Sequence, residues 1–161
     1  MREALSGCDL RILSHCSHTW VRPNNFTVEQ WDKRSKHNDW LVKGFSKVLE
    51  GAPGINAVLL LIDYGPDVRA TKDLIVELGI ESKVVWLPKM SRKEILCLLG
   101  FCDIGVGEFG IDNGLLWGGT GWEVLASGRP LLQTINFTNE EFVRTFGHAL
   151  PPILDVKCAD D

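Results

Sequence analysis

The sequence contains no apolar run long enough to cross a membrane. Its longest run, AVLLLI at residues 57–62, falls far short of the roughly 20 residues that a membrane-spanning helix needs. The first nine residues are polar and of mixed charge, unlike the apolar centre of a secretion signal. We therefore expect a cytoplasmic protein, located at the inner face of a membrane if the full-length protein contacts one.

Paired cysteine motifs are absent as well. The chain has five cysteines, an odd number, and no C-x-x-C pair, which predicts reduced thiols rather than a disulfide framework or a zinc site. His15 and His18 have a spacing that metal ligands use, but the one further ligand nearby is Cys16 between them. We expect no metal site.

Strong net charge and internal repeats are also missing. A net charge of −4 over 161 residues argues against general attraction to nucleic acid or an anionic membrane. The apolar fraction of 45% and charged fraction of 24% are ordinary for a globular protein, and the length fits one domain with a full core. No G-x-G-x-x-G motif follows the first predicted strand, which argues against dinucleotide binding of that type.

The apolar residues that are present alternate between strand-like runs and helical spacing. Short runs predict strands at residues 10–13, 57–62, 84–87, 104–106 and 131–132. Helical spacing predicts helices at 38–49, with Asn38 or Asp39 as cap, at 66–78, at 91–99 with a Ser91–Glu94 capping box, and from Glu123 to residue 126. This alternation predicts an α/β domain, a parallel sheet with helices on both faces.

In such sheets ligands bind beyond the carboxyl ends of the strands, and the loop after the fourth strand is rich in glycine. There Gly119, Thr120 and Gly121 lead into a helix, where backbone N–H groups and the helix dipole favour a phosphate. Glu123 then stands where it can accept hydrogen bonds from ribose hydroxyls. The alternative interpretations are a loop whose glycines only permit turns and a carboxylate that only caps the helix.

Several segments together resemble family 4-like glycosyltransferases of the GT-B kind. Residues 118–130, GGTGWEVLASGRP, resemble that family's glycine-rich turn followed by E-A-L-A-x-G-x-P. Residues 60–66 (LLIDYGP), 78–87 (LGIESKVVWL) and 102–106 (CDIGV) resemble further motifs, in the same order along roughly residues 10–133. The spacing from Glu108 to Glu123 exceeds the family's E-x7-E pattern, so residues 111–117 look like an insertion. Histidines His15 and His18 occupy the loop where the family commonly has an arginine.

The resemblance implies roles for ten residues. The implied catalytic residues, both facing the donor sugar or phosphates, are Glu108 and His18. For binding of the nucleotide sugar, the resemblance implies Lys36 at the diphosphate and Leu87 and Pro88 near the base. The other implied binding residues are Gly65, Gly119, Thr120, Gly121 and Glu123. The nucleoside-diphosphate sugar is the donor substrate, and no cofactor or metal ion is expected.

The resemblance also implies a function. We expect residues 1–161 to form one Rossmann-like donor-binding domain of a larger two-domain hexosyltransferase, which transfers a sugar with retention of configuration. Its partners would be the acceptor-binding domain of the same enzyme and a glycan or lipid-linked acceptor, without nucleic acid, and the chain alone would be inactive. The alternatives left open are a nucleotide-sugar 2-epimerase-like domain and a non-catalytic flavodoxin-like signalling domain.

Overall fold

A single parallel sheet organises the computed structural model, which describes residues 5–110 and 117–159. Its six strands lie in the order β3-β2-β1-β4-β5-β6, and every neighbouring pair is parallel. The strands are β1 (Leu10–Ser14), β2 (Ala57–Ile62), β3 (Val84–Leu87), β4 (Ile104–Val106), β5 (Leu131–Gln133) and β6 (Ile153–Asp155). Five of them lie within one residue of the predicted strands, and β6 was not predicted.

Helices cover both faces of this sheet, as predicted. The described helices are α1 (Val28–Asp32), α2 (Asn38–Gly51), α3 (Val68–Glu77), α4 (Arg92–Leu99), α5 (Gly118–Ala126) and α6 (Asn139–Phe146). None of the helices in the described ranges is both long and apolar enough to span a bilayer.

Strand β2, which lies between β1 and β3, contributes side chains to two hydrophobic cores, one on each face of the sheet. All six of its residues are buried, and successive side chains of a strand point to opposite faces. Leu60 packs into the cluster that includes Val124 of α5 and Phe142 of α6. Its neighbour Leu59 packs into the cluster that includes Phe45 of α2. The continuous apolar run in the sequence is therefore that of a strand buried on both faces.

The helix ends agree with the sequence in one case and differ in two. Ser91 and Glu94 form the predicted capping box of α4. In α2, however, the cap is His37 in a left-handed conformation, with φ of 46°. The Asn38 carboxamide instead accepts a hydrogen bond from the Thr19 backbone N–H at 2.9 Å, so it ties the loop after β1 to the start of α2.

The third helix boundary is the more important correction. Helix α5 begins at Gly118, five residues before the predicted start at Glu123. Gly119, Thr120 and Gly121 therefore lie in its first turn rather than in a loop, and Glu123 lies in its second turn. The predicted insertion at residues 111–117 lies outside the described residues except for Trp117.

The order in which strands are added to the sheet reverses between β1 and β4, and this reversal positions the candidate site. The chain builds β2 and β3 on one side of β1, then crosses back to build β4, β5 and β6 on the other. In open parallel sheets such a reversal leaves a crevice at the carboxyl ends of the two central strands, where ligands bind. Residues that follow Ser14 and Val106 flank this crevice.

Candidate functional site

Glu123 is the polar centre of the crevice, because two basic side chains converge on its carboxylate. Its Oε2 lies 2.8 Å from Nε2 of His15, the first residue after β1. Its Oε1 accepts a hydrogen bond from Nε of Arg92, the first residue of α4, at 2.6 Å. The Glu123 side chain is 14% exposed and that of Arg92 is 77% exposed. Three chain segments therefore meet at one carboxylate, with Arg92 on its outer side.

His15 is enclosed on the inner side of that carboxylate. Its side chain is 2% exposed, and Nδ1 is buried with no hydrogen-bond partner among the described residues. Burial lowers the pKa of His15, and it outweighs the hydrogen bond and charge of Glu123, which act in the opposite direction. We conclude that His15 is neutral at pH 7.

Lys36 and Glu108 form a second ion pair at the same edge of the sheet. Lys36 Nζ lies 2.8 Å from Glu108 Oε1, and each side chain is about a quarter exposed. The loop after β4 thus meets the segment before α2. Burial acts to lower the pKa of Lys36, but the hydrogen bond to Glu108 and nearby negative groups outweigh it and raise that pKa. The predicted diphosphate ligand is therefore a fully charged lysine held by the predicted sugar contact.

Cys16 lies between the chain segments that carry these two pairs. Its Sγ donates to the Gly107 carbonyl at 3.0 Å and contacts Thr120 Oγ1 at 3.5 Å. Burial raises the pKa of this thiol to about 11, so it is protonated and fills space between β1, β4 and α5. The Thr120 hydroxyl, predicted to bind the ligand, contacts Cys16. No group of three or more His, Cys, Asp or Glu side chains in residues 5–110 and 117–159 could hold a metal ion.

The glycines at the start of α5 differ in what surrounds them. A Cβ at Gly119 would meet no atom of residues 5–110 or 117–159 within 4 Å, whereas a Cβ at Gly121 would lie 2.5 Å from Cβ of Trp117. The Gly121 N–H also donates to the Trp117 carbonyl within the helix, at 3.0 Å. Packing and helical hydrogen bonding thus account for Gly121, while the surface over Gly119 is open to an approaching group.

His18, predicted to face the phosphates or sugar, is almost fully buried, and that predicted role stays a prediction. The residue is 1% exposed, its Nδ1 lies 3.0 Å from Thr71 Oγ1, and its ring is 5.2 Å from that of Trp86. Burial lowers the pKa of His18. No hydrogen bond or ion pair joins it to Glu108, although both residues are described. The structure thus places His18 against Thr71 and brings His15 to Glu123.

Gly65 is explained by the backbone that lies against it. Its φ is +120°, and a Cβ there would lie 2.4 Å from the His18 backbone nitrogen. The His18 N–H donates to the Tyr64 carbonyl at 2.8 Å. The glycine thus permits the loop after β1 to dock on the turn after β2. Its predicted contact with the nucleotide stays a prediction.

Leu87 and Pro88 lie at the carboxyl end of β3, as predicted, five and four residues before Arg92. Leu87 is buried, and its carbonyl accepts from the Asp63 N–H at 2.7 Å. Pro88 is exposed. Arg92 was not predicted, because nothing local distinguishes it from any solvent-exposed arginine at a helix start.

The most evident cavity lies away from this crevice. It has a volume of about 660 Å³ and is lined mainly by apolar side chains around α4, including Leu5, Met90, Leu98 and Phe101, with Arg11 and Cys97. None of the predicted site residues lines it. The candidate site is therefore defined by the convergence of charged side chains at the switch between β1 and β4 and not by this cavity.

The fold is that of known glycosyltransferase domains. No protein-family model matches the sequence, and no curated protein is significantly similar to it. Among solved structures, sucrose-phosphate synthase from Thermosynechococcus elongatus has a TM-score of 0.62 at 14% identity, covering 99% of this chain and 36% of that one. A glycosyltransferase from Rickettsia africae has a TM-score of 0.60 at 19% identity, covering 99% of this chain and 39% of that one.

A third similar structure was solved with ligands. Anabaena HepE, in complex with UDP and glucose, has a TM-score of 0.57 at 15% identity, covering 99% of this chain and 38% of that one. The chain thus spans about two fifths of the length of each of these three proteins. At such low identity the likeness establishes the fold, a Rossmann-like domain of the GT-B kind, and the ligands and activities belong to the proteins named.

Proposed function

We propose that this chain is the nucleotide-sugar-binding domain of a glycosyltransferase. The observation that carries the proposal is the convergence of His15, Lys36, Glu108 and Glu123 at the carboxyl ends of β1 and β4. This is the crevice in which open parallel sheets bind nucleotides. The likeness in fold to glycosyltransferases, one of them solved with UDP and glucose, supports the same function.

The Lys36–Glu108 pair and the Arg92–Glu123 pair each contain a side chain suited to one part of the donor. Lys36 is charged and about a quarter exposed, so it can hold the diphosphate. Glu123 can accept hydrogen bonds from the ribose hydroxyls through the lone pairs that His15 and Arg92 leave free. The open surface over Gly119, in the first turn of α5, allows the diphosphate to approach backbone N–H groups at a helix N-terminus.

Binding requires Lys36 to change partners. Glu108 Oε1 lies 2.8 Å from Lys36 Nζ, and a diphosphate at the lysine would compete with that carboxylate. Glu108 would then be free to accept hydrogen bonds from hydroxyls of the donor sugar. One exchange of partners therefore serves both the phosphate contact and the sugar contact.

The chemistry proposed is transfer of a sugar, a hexose, from the nucleoside diphosphate to a glycan or lipid-linked acceptor with retention of configuration. Lys36 would stabilise negative charge as the diphosphate departs, which is usually the largest contribution in such sites. An acceptor-binding domain would complete the site, because transfer needs both substrates in one geometry. We expect the present chain alone to bind the donor without transferring its sugar.

A thermal-shift panel tests the proposal. The chain is heated with UDP, GDP, ADP and CMP and with their sugar conjugates, in the presence of a chelator. A ligand at 100 times its dissociation constant stabilises by about 2.7 kcal/mol, so at least one nucleotide is expected to raise the melting temperature by several degrees. No shift with any of them at millimolar concentration would overturn the proposal.

A further inference from the structure

His15 has one ring nitrogen with a partner and one without. Nε2 lies 2.8 Å from Glu123 Oε2, while Nδ1 is buried and has no hydrogen-bond partner among the described residues. Buried polar atoms are rarely left in this state. The atom lies in the residue that directly follows β1, at the crevice proposed to bind a nucleotide sugar.

Glu123 determines which nitrogen carries the proton. An ionised carboxylate only accepts hydrogen bonds, so Nε2 must be the protonated nitrogen at the 2.8 Å contact. In neutral His15 this leaves Nδ1 as a bare acceptor. Protonation at Nδ1 would convert it into a donor directed away from Glu123 and would give the ring a positive charge.

Some groups around His15 favour protonation of its ring and others oppose it. Glu123 on α5 favours the charged ring, whereas Lys36 and the loss of solvent disfavour it. Glu108 pairs with Lys36, Arg92 pairs with Glu123, and the Cys16 thiol is neutral. A diphosphate held by Lys36 would cancel the repulsion from that lysine and add negative charge of its own, and nearby negative charge favours the protonated form of a histidine.

Resting on the proposed function, we propose that His15 takes up a proton when the nucleotide sugar binds and acts as the second cation for its diphosphate. The proton comes from solvent and adds to Nδ1, which then donates to a phosphate oxygen, while Nε2–H continues to donate to Glu123. The ligand thereby satisfies the ring nitrogen of His15 that has no hydrogen-bond partner among the described residues.

Proton uptake has a direct consequence for affinity. Because the complex holds one more proton than the separate partners, binding strengthens as the pH falls. Linkage predicts that the dissociation constant rises by about threefold to tenfold for each pH unit between pH 7 and 8, for an uptake of half to one proton.

Calorimetry in buffers of different ionisation enthalpy measures this uptake. The probe is UDP-glucose, with GDP-mannose if the thermal panel favours guanosine, because the phosphates of a nucleotide sugar do not titrate near neutral pH. At pH 7 we expect the native chain to take up about half to one proton. His15→Gln keeps an N–H donor for Glu123 but cannot be protonated, so its uptake should be near zero and its affinity nearly independent of pH.

The control and the second readout guard against a misfolded variant. His148→Gln changes an exposed histidine on the loop after α6 and should retain the uptake of the native chain. The sequence has four histidines, so the ring resonance missing from His15→Gln assigns His15 by NMR. That resonance should move to its protonated position when UDP-glucose is added at pH 7.

The outcomes separate the two proposals. Binding with no proton uptake, or uptake unchanged in His15→Gln, overturns the role of His15 and leaves the proposed function standing. Failure of every nucleotide sugar to bind overturns both.

Discussion

His15 and Glu123 lie 108 positions apart in sequence, yet His15 Nε2 and Glu123 Oε2 are separated by 2.8 Å. The contact joins the loop after β1 to the second turn of α5 across the point where the sheet reverses its direction of growth. It holds both side chains at the crevice, so a change in either one is expected to alter ligand binding and local stability together.

Glu123→Gln tests the ribose contact. The variant keeps the shape of the side chain but loses the charged acceptor, and hydrogen bonds to charged groups are worth about 1.5–3 kcal/mol. We expect at least a tenfold loss of nucleotide affinity, and a smaller loss for a 2′-deoxy nucleotide, which lacks one partner. Because Glu123 also binds His15 and Arg92, we further expect a fall of about 1 kcal/mol in unfolding free energy. A stability loss with unchanged affinity would exclude the ribose contact.

Gly119→Ala and Gly121→Ala are expected to act in opposite directions on stability. Gly119 is exposed, helical and free of neighbours, so alanine should stabilise α5 by up to about 1 kcal/mol. Gly121 packs against Trp117, so alanine there should destabilise by about 1–3 kcal/mol. If a phosphate approaches the Gly119 backbone, the more stable Gly119→Ala chain should bind nucleotide more weakly. Unfolding in urea and calorimetry give the two quantities, and unaltered binding by Gly119→Ala would argue against that approach.

Gly65→Ala tests the docking of the loop that carries His18. Backbone strain and the clash with the His18 backbone should together cost roughly 3 kcal/mol or more. Gly79→Ala is the matched control, because Gly79 also has a positive φ, +67°, but no neighbour within 4 Å; it should cost about 1 kcal/mol. Equal losses of unfolding free energy in the two variants would mean that the contact with His18 is not what requires a glycine.

Because His15 and His18 are buried, we expect the unfolding free energy to fall in mild acid. Burial lowers the folded-state pKa values of His15 and His18 below the usual 6.5, so the unfolded chain binds protons that the folded chain does not. Their stabilising contribution is therefore present above pH 6.5 and is lost as the pH falls towards the folded-state values. The slope is at most about 1.4 kcal/mol per pH unit for each histidine.

Urea unfolding of the ligand-free chain at pH 7.5, 6.5 and 5.5 measures this loss. His18→Gln should reduce the decrease between pH 6.5 and 5.5, whereas His148→Gln, at an exposed position, should leave it unchanged. A stability that is constant over this interval, or a decrease that persists in His18→Gln, would show that His18 does not contribute to it.

The sheet could be predicted from sequence because its central strands are encoded locally. The run from Ala57 to Ile62 has no polar interruption, and turn residues mark both of its ends. The Ser91–Glu94 capping box likewise predicted the start of α4. The same kind of signal, Thr138 with Glu141, marks the start of α6 and was present in the sequence, so that helix was missed in spite of a local cue.

The start of α5 at Gly118 could not be predicted from local sequence signals. Its first turn is rich in glycine, a poor helix former, and the helix is held there by packing that involves distant residues. A Cβ at Gly121 would lie 2.9 Å from Gln133 Oε1, and one at Gly105 of β4 would lie 2.4 Å from Val124. Tertiary contacts thus decide a boundary that propensity assigns to a loop.

For the candidate site too, local motifs predicted some features and tertiary contacts determine the others. The resemblance to glycosyltransferases predicted roles for Lys36, Glu108 and Glu123, because these residues stand in or beside recognisable motifs, and those roles stay predictions. It did not indicate that Lys36 and Glu108 would be paired with each other, nor that Arg92 would reach Glu123. Such pairings depend on the crossing of three chain segments, which no local pattern records.

The most direct test of the central claim is calorimetric titration of the native chain, Lys36→Met and Lys43→Met with nucleoside diphosphates in chelator. Lys43 is a matched control, since it pairs with Asp39 on α2 at 2.8 Å and takes no part in the proposed site. We expect the native chain and Lys43→Met to bind at least one nucleoside diphosphate equally well. Lys36→Met should bind it at least about tenfold more weakly, through loss of a charged hydrogen bond. Absence of binding at millimolar concentration by the native chain, or equal affinity in Lys36→Met, would contradict the account.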